Sequence, residues 1–322
     1  MKWSIDDFNL DDKTNRLIWE TSPRILKKIH GLAHASTNTP KFTGQVGVQQ
    51  AMIGVDGFDK EPLPLVPDLV GKDTVENPTR AVLILGSSYA PFVQDISTRN
   101  AIRSSDYRAV RSAAQFQQLF FNTVIVGDTY YYGKLESRFD QIRCPRELIV
   151  TDLCHGSFCL RGKQRLRRDM GGDRVVNGSH PELEIRQLAG EARSLFSHYV
   201  DAESAWTWQR IQSVKDIVAL GAIAEHGILR LFHKMKTQGI SMNVSGQPWN
   251  NRFQDHEHGW ISQHAEPDKT LSFWLEPDVW WNASIGNRNW RILPTYHPAA
   301  CRRENSWREN LVCKKLKQFL TG

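Results

Sequence analysis

Four short apolar runs recur through the later three quarters of the chain: Ala81-Val-Leu-Ile-Leu-Gly86, Glu147-Leu-Ile-Val-Thr-Asp-Leu153, Asp216-Ile-Val-Ala-Leu-Gly221 and Arg291-Ile-Leu-Pro-Thr-Tyr296. None alternates apolar with polar, so each predicts a strand buried on both faces, as in a parallel sheet. Between them, residues 106–121, 181–199 and 222–235 carry apolar positions at helical spacing. A strand and helix alternation of this kind predicts a three-layer α/β/α core around a central, mostly parallel four-stranded sheet.

The first 80 residues lack that rhythm. They predict one helix near Ser22 to Leu32, followed by Gly- and Pro-punctuated sequence through Pro67. We therefore divide the chain into an N-terminal extension, 1–80, packed on a core domain, 81–322. Residues 239–290 interrupt the core between its third and fourth strands and hold Trp249, Trp260, Trp274, Trp280, Trp281 and Trp290, out of eleven tryptophans in all. An insertion of this length and composition reads either as a pocket wall or as an accessory apolar patch.

Composition narrows the class. The 322 residues are 40% hydrophobic and 24% charged. No apolar run reaches the ~20 residues needed to cross a bilayer, and the start lacks a signal-peptide layout, so a cytoplasmic protein is expected. Five cysteines without a CxxC pair predict buried thiols rather than a disulfide framework or a metal site, and no cofactor is expected. The formal charge is +6, and two basic clusters stand out. Residues 160–174, with Arg161 and Lys163, and residues 301–322, with Arg302 and Arg303, each follow a predicted strand end. They read as phosphate contacts or as solvated basic faces.

Candidate chemistry gathers at the strand ends. Pro298 cannot donate a strand hydrogen bond, so the last strand should stop there and present His297 at its carboxyl end. In open α/β sheets that edge binds ligands. Four motifs occur in order: Gly86-Ser-Ser-Tyr-Ala-Pro91, Val150-Thr-Asp-Leu153, Ile217-Val-Ala-Leu-Gly-Ala222 and Leu293-Pro-Thr-Tyr-His-Pro-Ala-Ala300. Over about residues 81 to 320 this set resembles the uracil-DNA glycosylase superfamily. That resemblance implies a DNA partner, base flipping, and cleavage of an N-glycosidic bond to leave an abasic site; a monomer is expected, though the sequence does not fix the oligomeric state. His297 matches the histidine that stabilises the departing base through its O2; its alternative is a loop-capping histidine. No lysine falls inside the motifs, which predicts base removal without a Schiff base step.

Two departures from the superfamily pattern carry information. The polar residue expected directly after the first glycine is replaced by Ser87 and Ser88, and Pro91 comes two residues late. Asp95 is the candidate carboxylate for positioning water, or else a solvated loop aspartate or helix N-cap. Tyr89 or Phe92 would stack on the base, or fill core, and Ser88 is placed in the same base-binding group. The second strand reads Thr151-Asp152-Leu153 where uracil-removing relatives carry asparagine. An amide both donates to and accepts from uracil, whereas a carboxylate only accepts. Cytosine presents an exocyclic amine for such an acceptor. Asp152 therefore predicts a cytosine-type base, and the need to spare ordinary DNA predicts a modified one, such as the glucosylated hydroxymethylcytosine of phage genomes in an anti-phage role. The competing role for Asp152 is a buried loop tether.

Three other functions fit parts of the pattern. One is uracil removal in base excision repair. Another is a catalytically inert DNA-binding module, favoured by the altered first motif. The third is a serine hydrolase built on Ser88, Asp278 and His297, which requires a sharp strand-to-helix turn at Ser88.

Overall fold

A computed structural model of the chain describes residues 3–20, 67–74, 80–89, 106, 109–127, 131–141, 147–157, 207–221, 224, 225, 228, 231, 232, 241–244, 247, 248, 280–298 and 307–321. Among the described residues eight strands form one mixed sheet: β1 (Leu69–Val70), β2 (Val82–Tyr89), β3 (Leu148–Ser157), β4 (Asp216–Leu220), β5 (Ser241–Val244), β6 (Gln247–Pro248), β7 (Trp281–Ile285) and β8 (Arg288–Thr295). Helices among the described residues include α1 (Ala113–Phe120), α2 (Tyr132–Asp140) and α3 (Trp307–Thr321). Residues 13–20 and 207–213 are helical as well.

Strand order across the sheet is β1-β3-β2-β4-β8-β7-β5-β6. The four apolar runs supply β2, β3, β4 and β8, which pair in parallel at the centre. The rest of the sheet is antiparallel, with β1 at one edge and β7, β5 and β6 at the other. The sheet is thus larger than the four strands expected. Its extra edge comes largely from the Trp-rich insertion, whose described parts extend the sheet.

Side-chain alternation shows how the centre is covered. On β8, Trp290 packs at 5.3 Å from Phe232 and 5.9 Å from Trp208. Its neighbour Arg291 lies 4.8 Å over the Phe319 ring of α3. Adjacent strand residues point to opposite faces, so helical segments cover both faces of the sheet at β8. Leu83, Ile84 and Leu85 of β2 and Ile217, Val218 and Ala219 of β4 are fully shut off from solvent. Each larger side chain so buried contributes about 1.5–3 kcal/mol.

Pro294 sits inside β8, opposite Ala219 of β4. Pairing with β7 goes no further than Ile292, so Pro294 falls where β8 has already lost its antiparallel neighbour and a missing N–H is tolerated.

The N-terminal residues join the same core. Trp3, Phe8, Leu69 and Val70 belong to the central hydrophobic cluster. A buried polar knot ties four segments together. Arg210 donates to Asp68 at 2.8 Å and to both oxygens of Asp12 at 2.5 and 3.2 Å. Asn15 exchanges two 2.8 Å bonds with the Asp68 backbone, and Gln117 of α1 donates to the Asp68 carbonyl at 2.9 Å. Removing one member of such a knot strands the others in a dry interior.

Candidate functional site at the carboxyl edge of the parallel strands

Among the parallel strands the chain order across the sheet is second, first, third, fourth. The chain passes from β2 to β3 on one side and then crosses back over β2 to β4 on the other, and such a reversal opens a crevice at the carboxyl ends of β2 and β4. Pairing of β2 with β4 ends at Leu85↔Ala219, but β2 and β3 stay paired to Tyr89↔Ser157, with a register shift after Ser88. The two strands therefore run beyond the ends expected at Gly86 and Leu153. The reason is mutual: each supplies ladder partners to the other where the sheet no longer does.

Gly86 and Asp152 are register partners at the root of this extension. Asp152 is only 3% exposed. Its carboxylate lies over Gly86: a Cβ there would overlap Asp152 Oδ1 and come to 2.9 Å from the Tyr131 hydroxyl. Glycine is required because two polar groups occupy the space that a side chain would take.

Tyr131 links this carboxylate to the last strand. It immediately precedes α2, its carbonyl accepting from Leu135 N at 2.9 Å, and its ring stacks on His297 with centroids 5.1 Å apart and an interplanar angle of 29°. Its hydroxyl reaches Gly86 beside Asp152. Asp152, Tyr131 and His297 thus lie side by side at the carboxyl edge of the parallel strands.

His297 is set in place from two sides. Gly221, at the end of β4, has φ +86°, donates to the Thr295 carbonyl at 2.7 Å, and lets the His297 Cβ approach to 3.1 Å from where its own Cβ would stand. From α2, the fully buried Arg138 donates to the Tyr296 carbonyl at 3.1 Å and forms a two-pronged pair with Glu309 of α3 at 2.7 and 2.8 Å. The residue before His297 is thereby held to α2 and, through Glu309, to α3. A bidentate guanidinium pair gives this anchor a fixed geometry.

Burial pushes the His297 pKa down to about 4, and the Arg138 charge acts in the same direction. At neutral pH the imidazole is therefore uncharged, with one N–H donor and one acceptor nitrogen. The edge offers a neutral donor, a carboxyl group and a phenol side by side. This combination can hold a planar polar ligand by its edge and stabilise negative charge that develops at His297.

The structure brings His297 and Asp152 to this edge. Ser88 and Tyr89 lie in β2, where only the backbone is described. Ser88 is inside a continuing strand rather than at a turn into a helix, so the sharp elbow a serine nucleophile requires is missing there. Asp95, Phe92, Arg161, Lys163, Arg302 and Arg303 lie outside the described residues, as do Asp278 and the helices expected at 22–32 and 181–199. Of the insertion's tryptophans, Trp281 and Trp290 are core residues, donating to Glu225 at 3.0 Å and to the Ile211 carbonyl at 2.8 Å, while Trp280 packs on Phe319. Trp280 and Trp281 thus serve apolar packing, while Trp290 both packs in the core and lines a cavity at the amino ends of β4 and β8.

Sequence reasoning missed Tyr131 and Arg138. The triplet Tyr130-Tyr131-Tyr132 was a visible signal for the first; a lone helical arginine gave none for the second. A cavity of about 620 Å³ opens at the opposite, amino end of β4 and β8, where Arg291 is already paired with Asp216 at 2.7 Å. Among the described residues no cluster of His, Cys, Asp and Glu is arranged to hold a metal ion, and no helix is long and apolar enough to cross a membrane.

No family model matches the chain, and no curated protein matches it in sequence.

Proposed function

We propose that the chain is a monofunctional DNA glycosylase that extrudes a cytosine-type base and cleaves its N-glycosidic bond. The observation that carries this reading is the meeting of Asp152, Tyr131 and His297 on one crevice, at the strand ends where the motif order anticipates a flipped base. We read the architecture as a glycosylase-like three-layer core. Supporting this are the second-first-third-fourth order of the parallel strands and helical packing on both faces of β8.

In this account DNA reaches the crevice only by base flipping, because a stacked base hides its edge. Asp152 accepts a hydrogen bond from the exocyclic amine, and Tyr131 keeps the carboxylate over Gly86. Cleavage leaves the bonding electron pair on the base and positive charge on the sugar. The neutral His297 donates its N–H to the base O2, where the negative charge gathers. A neutral donor suits this task, since an imidazolium in so buried a place would itself need stabilising. Water then adds to the sugar carbon and loses its proton. We assign its positioning to Asp95. The products are free base and an abasic site.

Asp152 in place of asparagine favours an amine-bearing base over uracil. A cytosine reader compatible with its own genome acts on a modified base, and glucosylated hydroxymethylcytosine in phage DNA is our substrate of choice, with defence against phage as the biological role. The test is incubation with oligonucleotides carrying uracil, cytosine, hydroxymethylcytosine or its glucosylated form, followed by alkaline cleavage. Strand scission confined to modified cytosine supports the reading; scission at uracil of equal speed rejects the selectivity assigned to Asp152.

A further inference from the structure

The cavity at the amino ends of β4 and β8 lies a strand's length from the site described above. β4 spans Asp216–Leu220, so about 17 Å separates its two ends. The cavity holds about 620 Å³, a size typical of small-ligand sites. Its walls are the segment before β4 and the hairpin of β7 and β8, and that segment is pinned to β8 by several bonds. Arg291 N donates to the Lys215 carbonyl at 2.9 Å, the Trp290 indole N–H to the Ile211 carbonyl at 2.8 Å, and the Arg288 guanidinium to the Gln212 carbonyl at 3.0 Å. The concavity is therefore formed before any ligand arrives.

Its lining is cationic and rich in amides. Lys215, Arg288 and Arg291 face one carboxylate, Asp216, which Arg291 already engages with two nitrogens at 2.7 and 2.9 Å. Lys215 and Arg288 are left without a carboxylate partner among the described residues. Arg288 stands three residues before Arg291 on β8, so the two uncompensated cations spring from points about 10 Å apart. Register sets Asn282 opposite Arg291 and Ser284 opposite Asn289, which puts these four side chains on one face of the sheet. The amides of Asn282, Asn287 and Asn289 also line the cavity and have no partner among the described residues. Cations scattered over a convex surface are simply hydrated; these two share a walled concavity with groups that both donate and accept.

We propose that this cavity binds a small phosphorylated ligand of nucleotide size, at a site separate from the strand-end crevice. Its phosphate would take the charge of Lys215 and Arg288. Its sugar hydroxyls or base edge would take the asparagine amides. A molecule that fits here cannot reach His297, so the site stands whether or not the chain is a glycosylase.

The experiment titrates ADP, AMP, adenosine and a short single-stranded oligonucleotide into wild type, Lys215→Glu and Asn289→Trp, with binding read by calorimetry. Both replaced side chains are exposed, so both variants should melt close to wild type. Wild type should bind ADP at one site and more tightly than AMP, bind adenosine far more weakly, and lose affinity as salt rises. Lys215→Glu should weaken ADP binding roughly ten-fold or more through charge reversal. Asn289→Trp should weaken it to a similar degree by filling the cavity with a side chain of no charge. Wild type that fails to bind ADP at millimolar concentration overturns the proposal, as does equal affinity in both variants or equal affinity for adenosine. An oligonucleotide that binds more tightly than ADP and loses that affinity in Asn289→Trp overturns the assignment to a small ligand.

Discussion

Replacing Gly86 by alanine tests the crevice geometry with a single methyl group. The new Cβ would overlap Asp152 Oδ1 and stand 2.9 Å from both Asp152 Cγ and Tyr131 Oη. Atoms at rest sit about 3.5 Å apart or more, so the carboxylate must retreat by more than about 1 Å. The backbone has little freedom to give way, because Gly86 is a register partner of Asp152 in β2 and β3 and is itself buried. Overpacking of this kind costs about 1–3 kcal/mol. For a domain of this size that corresponds to a fall in melting temperature of roughly 2–10 °C, which leaves the protein folded at room temperature. The catalytic effect should be far larger, since a 1 Å misplacement of a group that positions substrate can cost on the order of 100-fold in rate. The assay pairs a thermal melt with single-turnover base release. A Gly86→Ala protein that releases base at the wild-type rate would refute the placement of Asp152 against the base. One that loses rate only in proportion to its unfolded fraction would refute it equally.

Asp152→Asn should exchange acceptor-only recognition for an amide, raising uracil release relative to cytosine-type release by at least ten-fold in paired kcat/KM measurements. The His297 pKa of about 4 lies below the ordinary 6.5, so between those values the unfolded chain binds a proton that the folded protein does not. Stability should therefore fall as pH drops from about 6.5 to 4, with a contribution of order 3 kcal/mol from this group. In His297→Gln that part of the slope should vanish, as read by denaturant titrations at several pH values. Arg210→Met leaves Asp68 and Asp12 without their cation and should destabilise by about 3–5 kcal/mol, measured by urea unfolding. Base removal should leave no borohydride-trapped complex with DNA, checked by gel electrophoresis after reduction.

The parallel centre of the sheet was legible because Val82 to Leu85, Leu148 to Val150, Ile217 to Leu220 and Ile292 to Leu293 are unbroken apolar runs, and burial on both faces admits nothing else. The antiparallel edge was not. Its strands β5, β6 and β7 are short and mixed in polarity, and their pairing depends on β8, some forty residues away from β5 in the chain. The strand ends were misplaced for a similar reason. Ser87, Ser88 and Tyr89 look like loop residues alone, and become strand only because β3 continues beside them. In the site, His297 was anticipated from the proline that follows it, and Asp152 from its place in a strand motif. Tyr131 and Arg138 owe their positions to how α2 docks on the His297 loop, a relation between segments more than 150 residues apart, and no local pattern encodes it.

The central claim is that Asp152 and His297 together release a cytosine-type base. Mass spectrometry of the small molecules freed from glucosylated phage DNA, from the same DNA without the sugar, and from uracil-containing DNA tests it directly. The account predicts free glucosylated hydroxymethylcytosine from the first, little or nothing from the other two, and none from any in His297→Gln. Uracil as the main product, or no free base from any of the three, would contradict it.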